Sequence, residues 1–159
     1  MRKTWRGLKH SRGKSSERND LNNDILKLEK QLCFPLYAAA KKVVGAYKPY
    51  LEEIGLTYTQ YITMMVMWES KSVLMGELGK YLYLDSGTLT PLLKRLESKG
   101  LIRRERGTDD GRTLIITVTE EGEALKEKAM QIPMKMATCI PIEHEDIEKL
   151  YGILYKILR

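Results

Sequence analysis

The side chains best suited to chemistry are two cysteines and a run of hydroxyl residues. Cys33 lies in Leu32-Cys33-Phe34-Pro35-Leu36-Tyr37, an apolar stretch with Tyr37 four residues on. A thiolate there would be a nucleophile and an oxidisable centre, and thiolates form where donors or the positive end of a helix hold the charge. Taken alone, a cysteine on an apolar helix face is also an ordinary small hydrophobe, and the residue by itself does not choose. The other cysteine, Cys139, is far away in the chain. Two cysteines exclude a disulfide-dense scaffold and a four-cysteine zinc site. His10 and His144 cannot build a metal site alone, so no metal and no cofactor is expected.

The hydroxyl run is Asp85-Ser86-Gly87-Thr88-Leu89-Thr90-Pro91-Leu92-Leu93-Lys94-Arg95-Leu96. Ser86, Thr88 and Thr90 are short enough to reach base edges or phosphates without filling a DNA groove. Lys94 and Arg95 suit backbone phosphates. The same hydroxyls could simply cap a surface helix. The stretch from Lys94 to Arg112 decides the balance. It holds seven basic residues (Lys94, Arg95, Lys99, Arg103, Arg104, Arg106, Arg112) against Glu97, Glu105, Asp109 and Asp110, a net +3. Nucleic-acid binders concentrate charge this way, because each neutralised phosphate releases counterions. Asp110, two residues before Arg112, can orient its guanidinium and hold a hairpin tip rigid.

These residues need elements to position them. Leu21, Ile25, Leu28, Leu32, Leu36, Ala40, Val43 and Tyr47 recur at helical steps, which predicts a long helix over 21–48. Pro35 must kink it or start a new helix. Lys48-Pro49 reads as the start of a short second helix that Gly55 breaks. Thr57 is an N-cap for a helix from Tyr58 to about Glu69, followed by a turn at 69–72. A helix from Val73 to Leu82 and another from Gly87 or Thr88 to Lys99 follow, the latter stopped by Gly100. Residues 101–106 and 113–118 alternate as strands around an Asp-Gly turn. Thr119 caps a helix over 120–131 that Pro133 limits, and a last helix covers 143–158. The fold class is mainly α with a small β-hairpin wing. It is a winged helix-turn-helix flanked by long end helices. Such a module lays its second helix in the major groove.

Composition agrees. The 159 residues carry a net charge of +6. Residues 1–20 hold seven basic residues against Glu17 and Asp20 and read as a disordered basic tail. The remaining 20 basic and 19 acidic residues leave the body near neutral. No run approaches the ~18 apolar residues of a membrane span, and no apolar core follows the basic N-terminus as in a secretory signal. A cytoplasmic protein is expected.

The stretch Leu84 to Glu97, with Gly100-Leu101-Ile102 and Asp110-x-Arg112, resembles the MarR family of winged-helix regulators. Leu32 to Tyr37, Tyr47-Lys48-Pro49 and Leu56-Thr57-Tyr58-x-Gln60-Tyr61 narrow the resemblance to its organic-hydroperoxide-sensing (OhrR-like) branch. It covers roughly residues 25–158. It implies an obligate homodimer in which segments 21–48 and 120–159 intertwine around the winged region 57–118. Residues 21–159 would then form one domain, and the partner would be double-stranded DNA with an inverted-repeat operator. It also implies redox sensing at Cys33, with Tyr37, Tyr47 and Tyr58 as phenolic donors. No Lys, Arg or His occupies a position matching those tyrosines.

In that family a hydroperoxide converts the thiolate to a sulfenic acid, which condenses with a small thiol or with a second cysteine, here Cys139. The implied function is a repressor that releases its operator on oxidation, with no enzyme activity. Four alternatives stay open. One is a regulator controlled by a small aromatic or lipid ligand in a pocket lined by Tyr37, Trp68 and methionines. Another is a broader thiol switch. The third, from a different class, is a thiol peroxidase. The fourth is a transcriptional co-regulator that binds another protein through a Met-rich surface, although the methionines also suit core filling.

Overall fold

Among the described residues the helix expected over 21–48 is interrupted at 26–32, just ahead of Pro35. The computed structural model describes residues 25–107, 113–137, 139 and 142–159. In it a 3-10 turn, Leu28–Lys30, precedes helix α1, Cys33–Glu53. Proline lacks an amide and is tolerated in a helix's first turn, where amides have no intrahelical partner. Pro35, the third residue of α1, lies there, so the chain starts a new helix instead of kinking an old one. Pro49 was expected to open a second helix and instead lies inside α1. Its missing amide orphans the Gly45 carbonyl, and Gly45 is exposed, so solvent can satisfy that acceptor.

The chain divides into two units, residues 1–42 and 43–159, each described by itself. In the first, Gln31 Nε2 donates to the Ile25 carbonyl, and the Lys41 ammonium lies 6.0 Å from the Tyr37 ring centre. None of its described residues is buried; Leu32, Phe34 and Tyr37 are exposed.

The second unit is built around α2, Tyr58–Ser70. Thr57 caps it in a reciprocal box. The Thr57 hydroxyl accepts from the Gln60 amide, and the Gln60 side chain accepts from the Thr57 amide at 3.0 Å. Tyr61, Met64, Met67 and Trp68 of α2 are buried. They pack with Leu78 of α3 (Met75–Leu82) and with Leu89, Leu92, Leu93 and Leu96 of α4 (Ser86–Ser98). Each such side chain contributes roughly 1.5–3 kcal/mol on leaving water. Trp68 keeps its indole N–H satisfied by donating to the Gly122 carbonyl at 2.7 Å. Trp68, Met64 and Met67 are therefore core residues.

The sheet has three strands where two were expected. β1 (Ser72–Leu74), β2 (Ile102–Arg106) and β3 (Leu114–Val118) pair antiparallel in the order β1-β3-β2. Val73 opposes Ile116, and Arg104 opposes the same Ile116 from the other edge. The expected helix from Val73 thus begins two residues later, at Met75. The recognition helix stops as its sequence predicts: Lys99 caps α4 and Gly100 follows with φ +73°.

After β3, α5 (Glu120–Ala129) is capped by Thr119, whose hydroxyl accepts from the Gly122 amide at 3.0 Å. Pro133 limits this helix, lacking the amide that would bond the Ala129 carbonyl, and lies in the first turn of a further one, α6 (Gln131–Ala137). The last helix, α7, is His144–Ile157 and buries none of its described side chains. No described helix is long and apolar enough to cross a membrane.

Candidate functional site

The start of α4 is organised by Asp85. Its carboxylate accepts from the Thr88 amide at 2.9 Å and from the Thr88 hydroxyl at 2.9 Å. The amide bond to Thr88, then the hydroxyl bond, hold the Asp85 carboxyl below its usual range. Thr90 donates its hydroxyl to the Ser86 carbonyl at 2.7 Å. Both threonines therefore spend their protons inside the helix. Each keeps an acceptor oxygen and a methyl group, which suit donors on base edges and thymine methyls respectively. Ser86 and Thr88 are exposed, Thr90 is half-buried, and Lys94 and Arg95 are exposed one to two turns further along.

The turn before α4 depends on Gly79. A Cβ there would stand 2.8 Å from the Leu84 carbonyl oxygen and 3.2 Å from a Leu89 methyl. The turn itself is closed by the Leu84 amide donating to the Gly79 carbonyl at 2.9 Å. Two helices can cross this closely only without a side chain at that position.

The hairpin beside α4 separates its arginines. Arg104 is turned toward α4. Its amide donates to Glu97 at 3.0 Å and its Nε to the same carboxylate at 2.9 Å. That guanidinium side chain is only 20% exposed. The Arg104 side-chain bonds chiefly hold the Glu97 carboxyl below its usual range. Arg103 is exposed and lies 3.6 Å from Glu105; Arg106 is exposed at the far end of β2. The Gly107 amide closes the described base of the hairpin on the Thr113 carbonyl at 2.9 Å. Asp110 and Arg112, assigned to the tip, lie outside the described residues.

Of the proposed redox residues, Cys33 and Tyr37 belong to the first unit. Cys33 is exposed and is the first residue of α1, and Tyr37 is exposed one turn on. In the second unit Tyr47 and Tyr58 are brought together edge to face, ring centres 5.1 Å apart, and Tyr61 joins them at 6.0 Å from Tyr47. Burial, then the neighbouring phenols, raise the Tyr47 and Tyr61 hydroxyls above their usual range. They remain protonated donors at neutral pH.

Cys139 is exposed just beyond α6, and its partner was not foreseen. The Tyr50 hydroxyl lies 3.7 Å from its sulfur. Nothing in the local sequence marks Tyr50, because 89 residues separate the pair. Among the described residues no cluster could hold a metal ion.

A helix-turn-helix with a hairpin wing, a hydroxyl-lined helix start and exposed cations on both elements defines a DNA-binding regulator. Comparison with known proteins narrows the class. The family model for the transcriptional regulator SarA/Rot matches residues 46–129. The chain is 44% identical over 135 residues to the organic hydroperoxide resistance transcriptional regulator of Bacillus subtilis (strain 168), covering 85% of this chain and 92% of that protein. Among solved structures, reduced AbfR bound to DNA shares 33% identity at a TM-score of 0.69, covering 87% of this chain and 99% of that one. Disulfide-formed AbfR shares 33% identity at a TM-score of 0.61, covering 89% and 99%. AbfR comes from Staphylococcus epidermidis. The chain belongs to the MarR family of winged-helix transcriptional regulators, in its organic hydroperoxide resistance branch. It is a DNA-binding transcriptional regulator, not an enzyme.

Proposed function

We propose that the protein is a homodimeric, cytoplasmic repressor that senses organic hydroperoxide through Cys33 and leaves its operator when Cys33 is oxidised. The observation that carries this reading is the exposed Cys33 at the first residue of α1, in a chain 44% identical to an organic hydroperoxide regulator. In the reaction the Cys33 thiolate attacks one peroxide oxygen. An S–O bond forms, the O–O bond breaks, and the alkoxide leaves and takes a proton from water as the alcohol. The phenols of Tyr37, Tyr47 and Tyr58 serve as donors to the sulfur and the departing oxygen. The Cys33 sulfenic acid then condenses with a small thiol or with Cys139. The disulfide-formed AbfR structure supports the second route as a model for this chain.

On DNA, Ser86, Thr88 and Thr90 face base edges, while Lys94, Arg95, Arg103 and Arg106 neutralise phosphates. Arg112, oriented by Asp110, enters a minor groove. Arg104 enters this interface indirectly, since Glu97 holds its guanidinium. Residues 21–159 act as one functional domain. Segments 21–48 and 120–159 join two copies, so two recognition helices meet an inverted repeat about one DNA turn apart. Oxidation adds bulk or a covalent tie at that junction and changes the spacing of the two helices.

The test is binding to an inverted-repeat site from the protein's own promoter, with and without stoichiometric cumene hydroperoxide. Wild type should lose at least ~10-fold in affinity, because release of one half-site forfeits the avidity of the pair. Cys33→Ser should stay bound. Equal retention by both proteins overturns the reading and returns attention to small ligands.

A further inference from the structure

The side chains around Cys139 form a small polar cluster that peroxide attack at Cys33 does not use. Tyr50, on α1, and Cys139, just past α6, meet through the 3.7 Å Oη–Sγ contact. The Cys139 S–H donates to the Lys135 carbonyl at 3.4 Å. The Lys135 ammonium stands 5.3 Å from the centre of the Tyr50 ring and 3.3 Å from a Glu53 carboxylate oxygen. Lys135 therefore touches the cluster twice, by its carbonyl on the sulfur and by its ammonium on the phenol.

The proton positions follow from the donor inventory. With the thiol proton on the Lys135 carbonyl, the sulfur turns a lone pair toward Tyr50, and the phenol O–H is the donor between them. The hydrogen bond with Cys139 is also the chief reason the Tyr50 hydroxyl stays protonated above its usual range. The phenol donor and the Lys135 carbonyl acceptor together fix the direction in which the sulfur points.

We propose that Tyr50 is a positioning residue for Cys139 as the resolving thiol, its hydroxyl holding the sulfur just past α6 for attack on oxidised Cys33. This rests on the two-cysteine form of the function proposed above. The step balances without a further reagent. The Cys139 sulfur bonds to the Cys33 sulfur, and the Cys33 S–O bond breaks. The leaving hydroxide takes the Cys139 thiol proton and departs as water. The oxidising equivalent is the hydroperoxide already consumed.

The experiment uses the full chain. Wild type, Tyr50→Phe and Cys139→Ser are mixed with one equivalent of cumene hydroperoxide across pH 6–9. Cys33 sulfenic acid is trapped with dimedone, and the Cys33–Cys139 bond is followed by non-reducing electrophoresis and peptide mapping. Phenylalanine keeps the ring against Lys135 and removes only the donor. Tyr50→Phe should slow bridge formation about threefold to tenfold at pH 7, the worth of one hydrogen bond. It should also prolong the dimedone-reactive state, while the rate of Cys33 oxidation and the thermal melting of the reduced chain stay at the wild-type values, which a merely structural role would not produce. A bridge that forms at the wild-type rate in Tyr50→Phe overturns the role of Tyr50 alone. A wild-type chain that forms no Cys33–Cys139 bond overturns the bridge and this proposal together, and leaves peroxide sensing at Cys33 standing on its own test.

Discussion

At the residue scale, Gly79 is where a single methyl group has the most leverage on DNA reading. Its neighbours on the far side are a backbone oxygen and the packed Leu89, neither the loose end of a flexible side chain. Gly79→Ala must push the α3–α4 turn apart, and overpacking of this kind costs roughly 1–3 kcal/mol. Thermal unfolding should shift down by about 2–4 °C per kcal/mol for a chain of this size. Operator affinity should fall further than stability does, because Ser86 and Thr88 begin the very next helix. Unchanged melting and binding would show that the turn relaxes freely.

The same scale shows what could be read in advance. Cys33, the three hydroxyls of α4 and the basic hairpin were legible because each is defined by neighbours within a few positions. The internal use of the Thr88 and Thr90 protons was half legible: Asp85 three residues before Thr88 is a capping pattern, and capping was weighed against DNA contact. The structure has both, since the donors turn inward and the acceptors outward. Tyr50 was not legible. Its meaning comes from Cys139 and Lys135, which only the folded chain brings to it.

Among the elements, the coupling that matters most for DNA binding is between α4 and β2. Glu97 and Arg104 join them by two side-chain bonds and one backbone bond, so the hairpin cannot swing independently of the recognition helix. The partly exposed setting limits the worth of this tie to about 1 kcal/mol at neutral pH. Its pH dependence has a definite sign. Glu97 is held below its usual range, so the folded state binds its proton less readily than the unfolded chain. That stability is present above the unfolded carboxylate value of about 4.3, and it is lost as pH falls through the lower folded value. Glu97→Gln should therefore melt below wild type at pH 7, and the gap should close between about pH 5 and 3. A gap that persists at pH 3 would mean that the amide disturbs packing instead.

Element boundaries also show where sequence reading stopped. β1 was missed because Ser72-Val73-Leu74 is three residues long and its Leu74 continues the spacing of Leu78 and Leu82. Its strand character comes from pairing with Ile115, Ile116 and Thr117, far along the chain. Pro133 separates two helices as its sequence predicts, but Pro49 does not break α1, because it sits where an exposed carbonyl tolerates it, and the sequence alone does not say which carbonyls face solvent.

For the whole molecule, α7 sets the question of assembly. Ile147, Leu150, Ile153 and Ile157 are all exposed along it, and Tyr151 and Tyr155 stack at 6.2 Å on the same helix. An amphipathic helix with none of its described side chains fully buried finds its apolar partner elsewhere, and the homodimer proposed above supplies one. Such a dimer ties stability to concentration, because each copy is stabilised by the other. It also ties DNA affinity to assembly, since two linked half-site contacts exceed one by about 10²–10⁴-fold. Ile153 and Ile157 are four residues apart on one face, so Ile153→Lys with Ile157→Lys places two cations there without touching the buried core. Sedimentation at micromolar concentration should then report monomer where wild type gives dimer. Operator affinity should drop at least ~100-fold, while helical content stays near the wild-type value. A double variant that remains dimeric would place the interface away from this face of α7. One that becomes monomeric yet binds the full operator undiminished would uncouple assembly from recognition, and with it the route by which an oxidised cysteine could release DNA.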